Sequence, residues 1–253
     1  MRPLAVVTGA SRGIGLAIAT RLAQDHDLVL CAHHPERLQG AIRGPLSEAN
    51  VVASNAVDLS TRAGVEELLT TVRSLGRGVR VLVNNAGIAA SAPIARSDED
   101  LFDRLLAINA RAPFALARAL LPGMIESGGG RVINIASTAA LKGYAYTAAY
   151  SASKAAVLGW TRALAVEVAT SGVTINAICP GFTDTDIASD AIATIQRKTE
   201  RSADEARTSL ARFSPQRRLL DPAEIAEFVA FIASPAATAI NGQALAIDGG
   251  ETA

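Results

Sequence analysis

The stretch Leu4-Ala-Val-Val-Thr8-Gly9-Ala10-Ser11-Arg12-Gly13-Ile14-Gly15 decides the fold. Its first half is a short apolar run that reads as a buried strand. Its glycines mark a tight turn, and a helix begins inside that turn. In such a unit the glycines allow the turn itself, the close approach of a phosphate and the close packing of helix on sheet. Free N–H groups and the positive end of the helix then favour a pyrophosphate. The spacing Gly-x-x-x-Gly-x-Gly departs from the usual Gly-x-Gly-x-x-Gly, and no Gly-Lys-Ser/Thr follows, which argues against a nucleotide-hydrolysing loop. A purely structural glycine turn is the rival reading, and the position between first strand and first helix weighs against it.

Outward from this unit the pattern repeats. Strands are expected at Leu4–Thr8, Leu28–Ala32, Val51–Val57, Val79–Val83, Arg131–Ala136, Val173–Ile178 and Ala244–Ile247. Helices are expected over about 13–24, 36–42, 60–75, 98–124 (bent near Pro113), 148–169, 187–213 and 222–232. Strands spaced by helices imply crossover units and a parallel sheet. The expected architecture is α/β: one Rossmann-type doubly wound domain over 1–253, with a parallel seven-stranded sheet flanked by helices. Residues 182–214 interrupt the apolar pattern and are read as a substrate-side excursion, either a mobile lid or ordinary surface helices.

Composition narrows the function classes. Of 253 residues, 24 are Lys or Arg and 24 are Asp or Glu, for a formal net charge of zero. No basic footprint for nucleic acid is present, and no apolar run reaches membrane-spanning length. With no signal-like stretch, a cytoplasmic protein without nucleic-acid or membrane partners is expected. Cys31 and Cys179 lie in apolar runs, and His26, His33 and His34 form no ligand spacing, so no metal is expected. The 49% hydrophobic share with only 4% aromatics suits buried parallel strands covered by helices.

The tip of the second strand bears on the cofactor. A carboxylate there would bind the adenosine ribose of NAD, but the residues are Ala32-His33-His34. An NADP 2′-phosphate would meet no repulsion, with Arg12 and two imidazoles nearby, so NADP(H) is favoured and NAD(H) remains open. His33 and His34 are equally readable as solvated turn residues. Asp58, after the third strand, is placed either to meet the adenine amino group or to act as the acid of the next helix.

The chemistry sits in Tyr150-Ser151-Ala152-Ser153-Lys154. Residues i and i+4 share a helical face, so Lys154 is expected to lower the Tyr150 pKa and fit the phenol for proton transfer to or from an alcohol oxygen. Ser137 follows the fifth strand at the ligand-binding edge and is read as a donor to a substrate carbonyl, or as a turn cap. Asn109, awkward inside a helix, is read as holding a water or bending the helix.

Over essentially its full length the chain resembles the short-chain dehydrogenase/reductase family. The resemblance rests on Thr8–Gly15, Asn84-Asn85-Ala86-Gly87, Pro180-Gly181 and the set Asn109, Ser137, Tyr150 and Lys154. It implies Tyr150 as acid/base, Ser137 as orienter of the substrate oxygen, Lys154 as ligand of the nicotinamide ribose and Asn109 as holder of a relay water. It also implies cofactor contacts from Gly9, Ser11, Arg12, Gly13, Ile14, Gly15, His33, His34, Asp58, Leu59, Asn85, Ala86, Gly87, Tyr150, Lys154, Pro180, Gly181, Thr183 and Thr185. A homodimer or homotetramer through the helices at about 98–124 and 148–169 is implied as well. Within the family the chain is most similar to 3-oxoacyl thioester reductases. Carrier-dependent ones have arginines at positions matching Gly128 and Ser171, where this chain has none and Glu126 lies nearby. A CoA or carrier-protein thioester is the expected substrate, with a small or cyclic secondary alcohol of a catabolic NAD-dependent dehydrogenase as the alternative and a non-catalytic cofactor sensor the remote one. Tyr144, Tyr146, Phe182 and Ile187 are candidates for an apolar substrate wall.

Overall fold

The computed structural model describes residues 2–199 and 201–253. Seven strands form one parallel sheet: β1 (Leu4–Thr8), β2 (Asp27–Ala32), β3 (Val51–Ala56), β4 (Val79–Asn84), β5 (Gly130–Ile135), β6 (Val173–Pro180) and β7 (Ala244–Ile247). Their order is β3-β2-β1-β4-β5-β6-β7, so the chain reverses its direction of winding between β1 and β4. Open sheets of this kind bind ligands in the crevice outside the carboxyl ends of the strands at that reversal.

Alternation along each strand sorts the apolar side chains onto two faces. Leu4, Val6, Val29, Leu82 and Val132 face α3 (Arg62–Ser74) and α5 (Ala112–Glu126). Ala5, Val7, Leu28, Leu30, Val83 and Ile133 face α1 (Gly13–Leu22), α2 (Pro35–Arg43) and α9 (Pro222–Ala233). Both faces are covered, so the strands carry continuous apolar runs. The remaining helices are α4 (Glu99–Leu106), α6 (Ala148–Glu167), α7 (Asp186–Lys198) and α8 (Ala203–Ala211). Among the described residues no helix is long and apolar enough to cross a membrane.

Two expectations need correction. The helix over 98–124 is not continuous: α4 and α5 are separated by a π turn at Ala107–Arg111, where Ala112 N donates to Ala107 O, five positions back. Pro113 has no N–H for the carbonyl of Asn109, four residues earlier, and its ring crowds that carbonyl. The widened turn relieves this, so the irregularity falls at Asn109 and not at Pro113. The helix over 187–213 is in fact α7 and α8, because Thr199 is extended and Ser202 opens α8 with a capping box to Glu205.

A buried polar chain crosses from the sheet to α6. Asn84 and Asn134 are register partners on β4 and β5. Asn84 Nδ2 donates to Asn134 Oδ1 at 2.8 Å, and Asn134 Nδ2 donates to Thr161 Oγ1 at 2.9 Å.

Candidate active site

The carboxyl ends of β1, β2, β3 and β4 open onto a cleft of about 550 Å³. Its lining includes Gly9, Ser11, Arg12, Gly13, Ile14 and Gly15 from the first turn, and His33, His34, Asp58 and Leu59 from the ends of β2 and β3. Asn85, Ala86, Gly87 and Thr185 complete the expected residues found there. The turn is built for close approach. Gly9 and Gly13 have φ of +68° and +53°, and a Cβ on Gly15 would lie 2.2 Å from Gly9 O. No side chain caps the first-turn N–H groups of α1, as is also true of α2, α6 and α7, whereas Thr61, Asp98, Ser202 and Asp221 cap α3, α4, α8 and α9. Uncapped donors at the mouth of a cleft fit a phosphate-bearing cofactor. The first-turn residues and the β2 tip would hold it, and a nicotinamide would supply or take up the hydride.

Thr8, which the sequence reading passed over, organises both lips of the cleft. Its buried hydroxyl accepts from Asn85 N and Ala86 N, each at 3.0 Å, and donates to Val83 O at 3.3 Å. The Asn85 amide donates in turn to Thr8 O and Gly9 O. Asn85 thus braces the first turn as well as lining the cleft. Asp58 accepts from Ser60 N at 2.9 Å, and hydrogen bonding from the Ser60 hydroxyl, with this backbone bond behind it, holds its carboxylate below the usual range. The helix-opening role left open for Asp58 belongs to Thr61, whose hydroxyl accepts from Gly64 N. His33 and His34 are both exposed, packed edge-to-face with centroids 4.9 Å apart. Arg12 is paired across the cleft with Asp186 at 2.6 Å.

The four residues expected to do chemistry are gathered at the ends of β4 and β5. Ser137 caps the short turn after β5, its hydroxyl oxygen accepting from Ala139 N at 3.1 Å. Its own proton remains available to Tyr150, the half-buried phenol beside it. Burial pushes the Tyr150 phenol up, and hydrogen bonding with Ser137 works the other way. The direction runs against the expectation that Lys154 lowers that pKa. The Lys154 ammonium is buried and donates to Ile135 O at 2.8 Å, and burial brings its pKa down to about 8. Gly87 ties the group to the cleft, since a Cβ there would lie 2.9 Å from Asn109 Oδ1 and 3.4 Å from Lys154 Nζ.

Asn109 sits in the π turn, buried, with its amide fully occupied. Oδ1 accepts from Ile88 N at 2.9 Å, while Nδ2 donates to Ile88 O at 2.9 Å and to Ser153 Oγ at 3.0 Å. Ser153, a second residue missed in the sequence, donates onward to Tyr150 O at 2.7 Å. The side chain therefore fixes the loop after β4 against α6. Pro180 ends β6, and Gly181 just beyond it donates its N–H to Ile247 O. The Thr183 hydroxyl is turned onto Gly181 O at 3.0 Å, and Thr185 opens α7. Of the candidate substrate wall, Tyr144 and Phe182 both pack on Phe213, while Tyr146 is exposed and Ile187 lines the cleft.

A cofactor cleft at a sheet reversal with a Ser, Tyr and Lys at its edge defines an oxidoreductase of the dinucleotide-dependent class. A family model for short chain dehydrogenases matches residues 3–196. The 3-oxoacyl-[acyl-carrier-protein] reductase FabG of Vibrio cholerae is 38% identical over 251 residues, covering 98% of this chain and 96% of that one. The 2-(R)-hydroxypropyl-CoM dehydrogenase of Xanthobacter autotrophicus is 35% identical with both chains fully covered. A variant actinorhodin polyketide ketoreductase solved with NADPH superposes with a TM-score of 0.94 at 34% identity, covering 99% and 97% of the two chains. The chain belongs to the short-chain dehydrogenase/reductase family. It is an NAD(P)(H)-dependent oxidoreductase that moves a hydride between the nicotinamide and a ketone or secondary alcohol.

Proposed function

We propose that the chain reduces a 3-oxoacyl thioester with NADPH. The observation that carries this reading is the Ser137–Tyr150 pair beside buried Lys154, at the edge of a cleft whose β2 tip offers His33 and His34 and no carboxylate. Ser137 orients the ketone oxygen, and Tyr150 gives that oxygen its proton. Lys154 and Asn109 resupply and position the proton path, the first as a buried ammonium, the second through the loop it fixes. The NADPH preference is supported by the reductase solved with NADPH, and the thioester by the FabG relative.

Neither Gly128 nor Ser171 supplies an arginine for an acidic carrier. Guanidinium groups nevertheless lie at that edge: Arg80 donates to Ser127 O at 3.0 Å and Arg131 to Gly172 O at 3.3 Å. Both a CoA and a carrier-bound thioester therefore belong in the test. Homo-oligomer assembly over α4, α5 and α6, where Phe102, Phe114 and Val166 are exposed, and a cytoplasmic location belong to the same reading.

The test is turnover of acetoacetyl-CoA, and of the same acyl group on a carrier protein, with NADPH and with NADH. Tyr150→Phe is expected to lower kcat roughly 10²–10⁴-fold while NADPH binding persists. Tenfold tighter NADH, together with oxidation of small secondary alcohols and no thioester turnover, would replace this reading with the catabolic one that the Xanthobacter relative favours.

A further inference from the structure

One ion pair spans the mouth of the cleft. Arg12 Nη1 lies 2.6 Å from Asp186 Oδ2, with the two side chains 42% and 57% exposed. Arg12 is the residue before α1, and Asp186 is the first residue of α7. The two ends meet closely, since a Cβ on Gly13 would lie 3.2 Å from Thr185 Cγ2. Asp184 has its own partner in Arg207, which leaves Asp186 facing Arg12 alone among the ion pairs of the described residues. A negative charge at this position is also favoured by the N-terminus of α7.

We infer that Asp186 is a cofactor-selectivity residue that competes with an adenosine 2′-phosphate for the Arg12 guanidinium. The inference rests on the NADPH reading above. Guanidinium forks bind carboxylate and phosphate with the same donors, so a phosphate at the cleft mouth must displace or share Asp186. The displaced carboxylate then stands beside the incoming charge. A cofactor without the 2′-phosphate makes neither demand. Asp186 thus holds down the preference that Arg12 and the β2 tip would otherwise set. Because both groups are exposed, the effect is modest and screened by salt.

Calorimetric binding of NADPH and NADH to the wild type, Asp186→Asn, Asp186→Ser, Arg12→Gln and the double variant Arg12→Gln/Asp186→Asn tests this. Either Asp186 variant is expected to raise the ratio of NADPH to NADH affinity by roughly two- to fivefold, with the gain shrinking at high salt. In the Arg12→Gln background the Asn substitution is expected to change nothing. An NADPH-preferring wild type whose ratio does not move in the Asp186 variants overturns this inference alone. So does a gain that survives without Arg12. A wild type that prefers NADH overturns the cofactor reading and the inference with it.

Discussion

The Thr8–Gly15 turn and the α7–α8 segment face each other across the cleft, and they are held by different forces. The turn is pinned from behind by the buried Thr8 hydroxyl and the Asn85 amide, with the two large cores beneath it. The α7–α8 segment rests on a small cluster around Ala188, Leu210 and Leu219, and on exposed ion pairs at Asp184 and Asp186. Buried hydrogen bonds are costly to break because orphaned groups find no water, whereas exposed pairs contribute little. The side that must hold a common cofactor is therefore stiff, and the α7–α8 side, the proposed substrate side, is lightly attached. Sites built this way change substrate without loss of the chemistry.

The contrast is sharpest at Lys154. Its folded pKa of about 8 lies below its ordinary 10.5, so between those values the unfolded chain binds more protons than the folded one. The Lys154 contribution to stability should therefore rise as pH climbs from about 8 to 10.5, by about 3 kcal/mol in total for a shift of this size. Burial raises the Cys31 and Cys179 thiols to about 12 and about 11, and these act in the opposite sense above pH 9. The Lys154 slope should therefore appear as the difference between wild type and Lys154→Met in urea unfolding at a series of pH values. Next in size is Thr8→Val, which strands Asn85 N and Ala86 N without their acceptor. It should cost about 2 kcal/mol of stability and weaken cofactor binding, measured by denaturation and calorimetry side by side. Smallest is Arg207→Gln on the opposite lip. It should shift stability by less than about 1 kcal/mol and show itself in KM for the ketone more than in kcat. A large loss of stability there would erase the distinction between the two lips.

Much of the scaffold is legible in the residue pattern, because fully buried parallel strands announce themselves as apolar runs and glycine turns follow them. Helix interiors are less legible where a backbone group, not a side chain, decides the outcome. Pro113 is visible in the sequence, yet its effect lands on the carbonyl of Asn109. The site residues are legible as a set, but their hydrogen-bond partners are not. Thr8 looks like the last residue of a strand, and Ser153 like an ordinary residue of the Tyr150–Lys154 turn. The expectation of a depressed Tyr150 pKa followed from i, i+4 spacing alone. It missed burial of the phenol and the engagement of the ammonium with Ile135 O. Charge pairs such as Arg12–Asp186, 174 positions apart in the chain, leave no trace in local sequence.

The Asn84–Asn134–Thr161 chain has a consequence for assembly of the sheet. A slip of β5 by one residue along β4 would aim the Asn134 amide at the opposite helical layer and leave the Asn84 donor only its long 3.4 Å contact with Pro113 O. Apolar neighbours such as Val83 and Ile133 tolerate many alignments almost equally, since grease meets grease in each. The two amides tolerate one. They act as a key cut for a single lock, rejecting misaligned β4–β5 pairs and thereby setting the height at which Ser137, three residues beyond Asn134, emerges above the sheet.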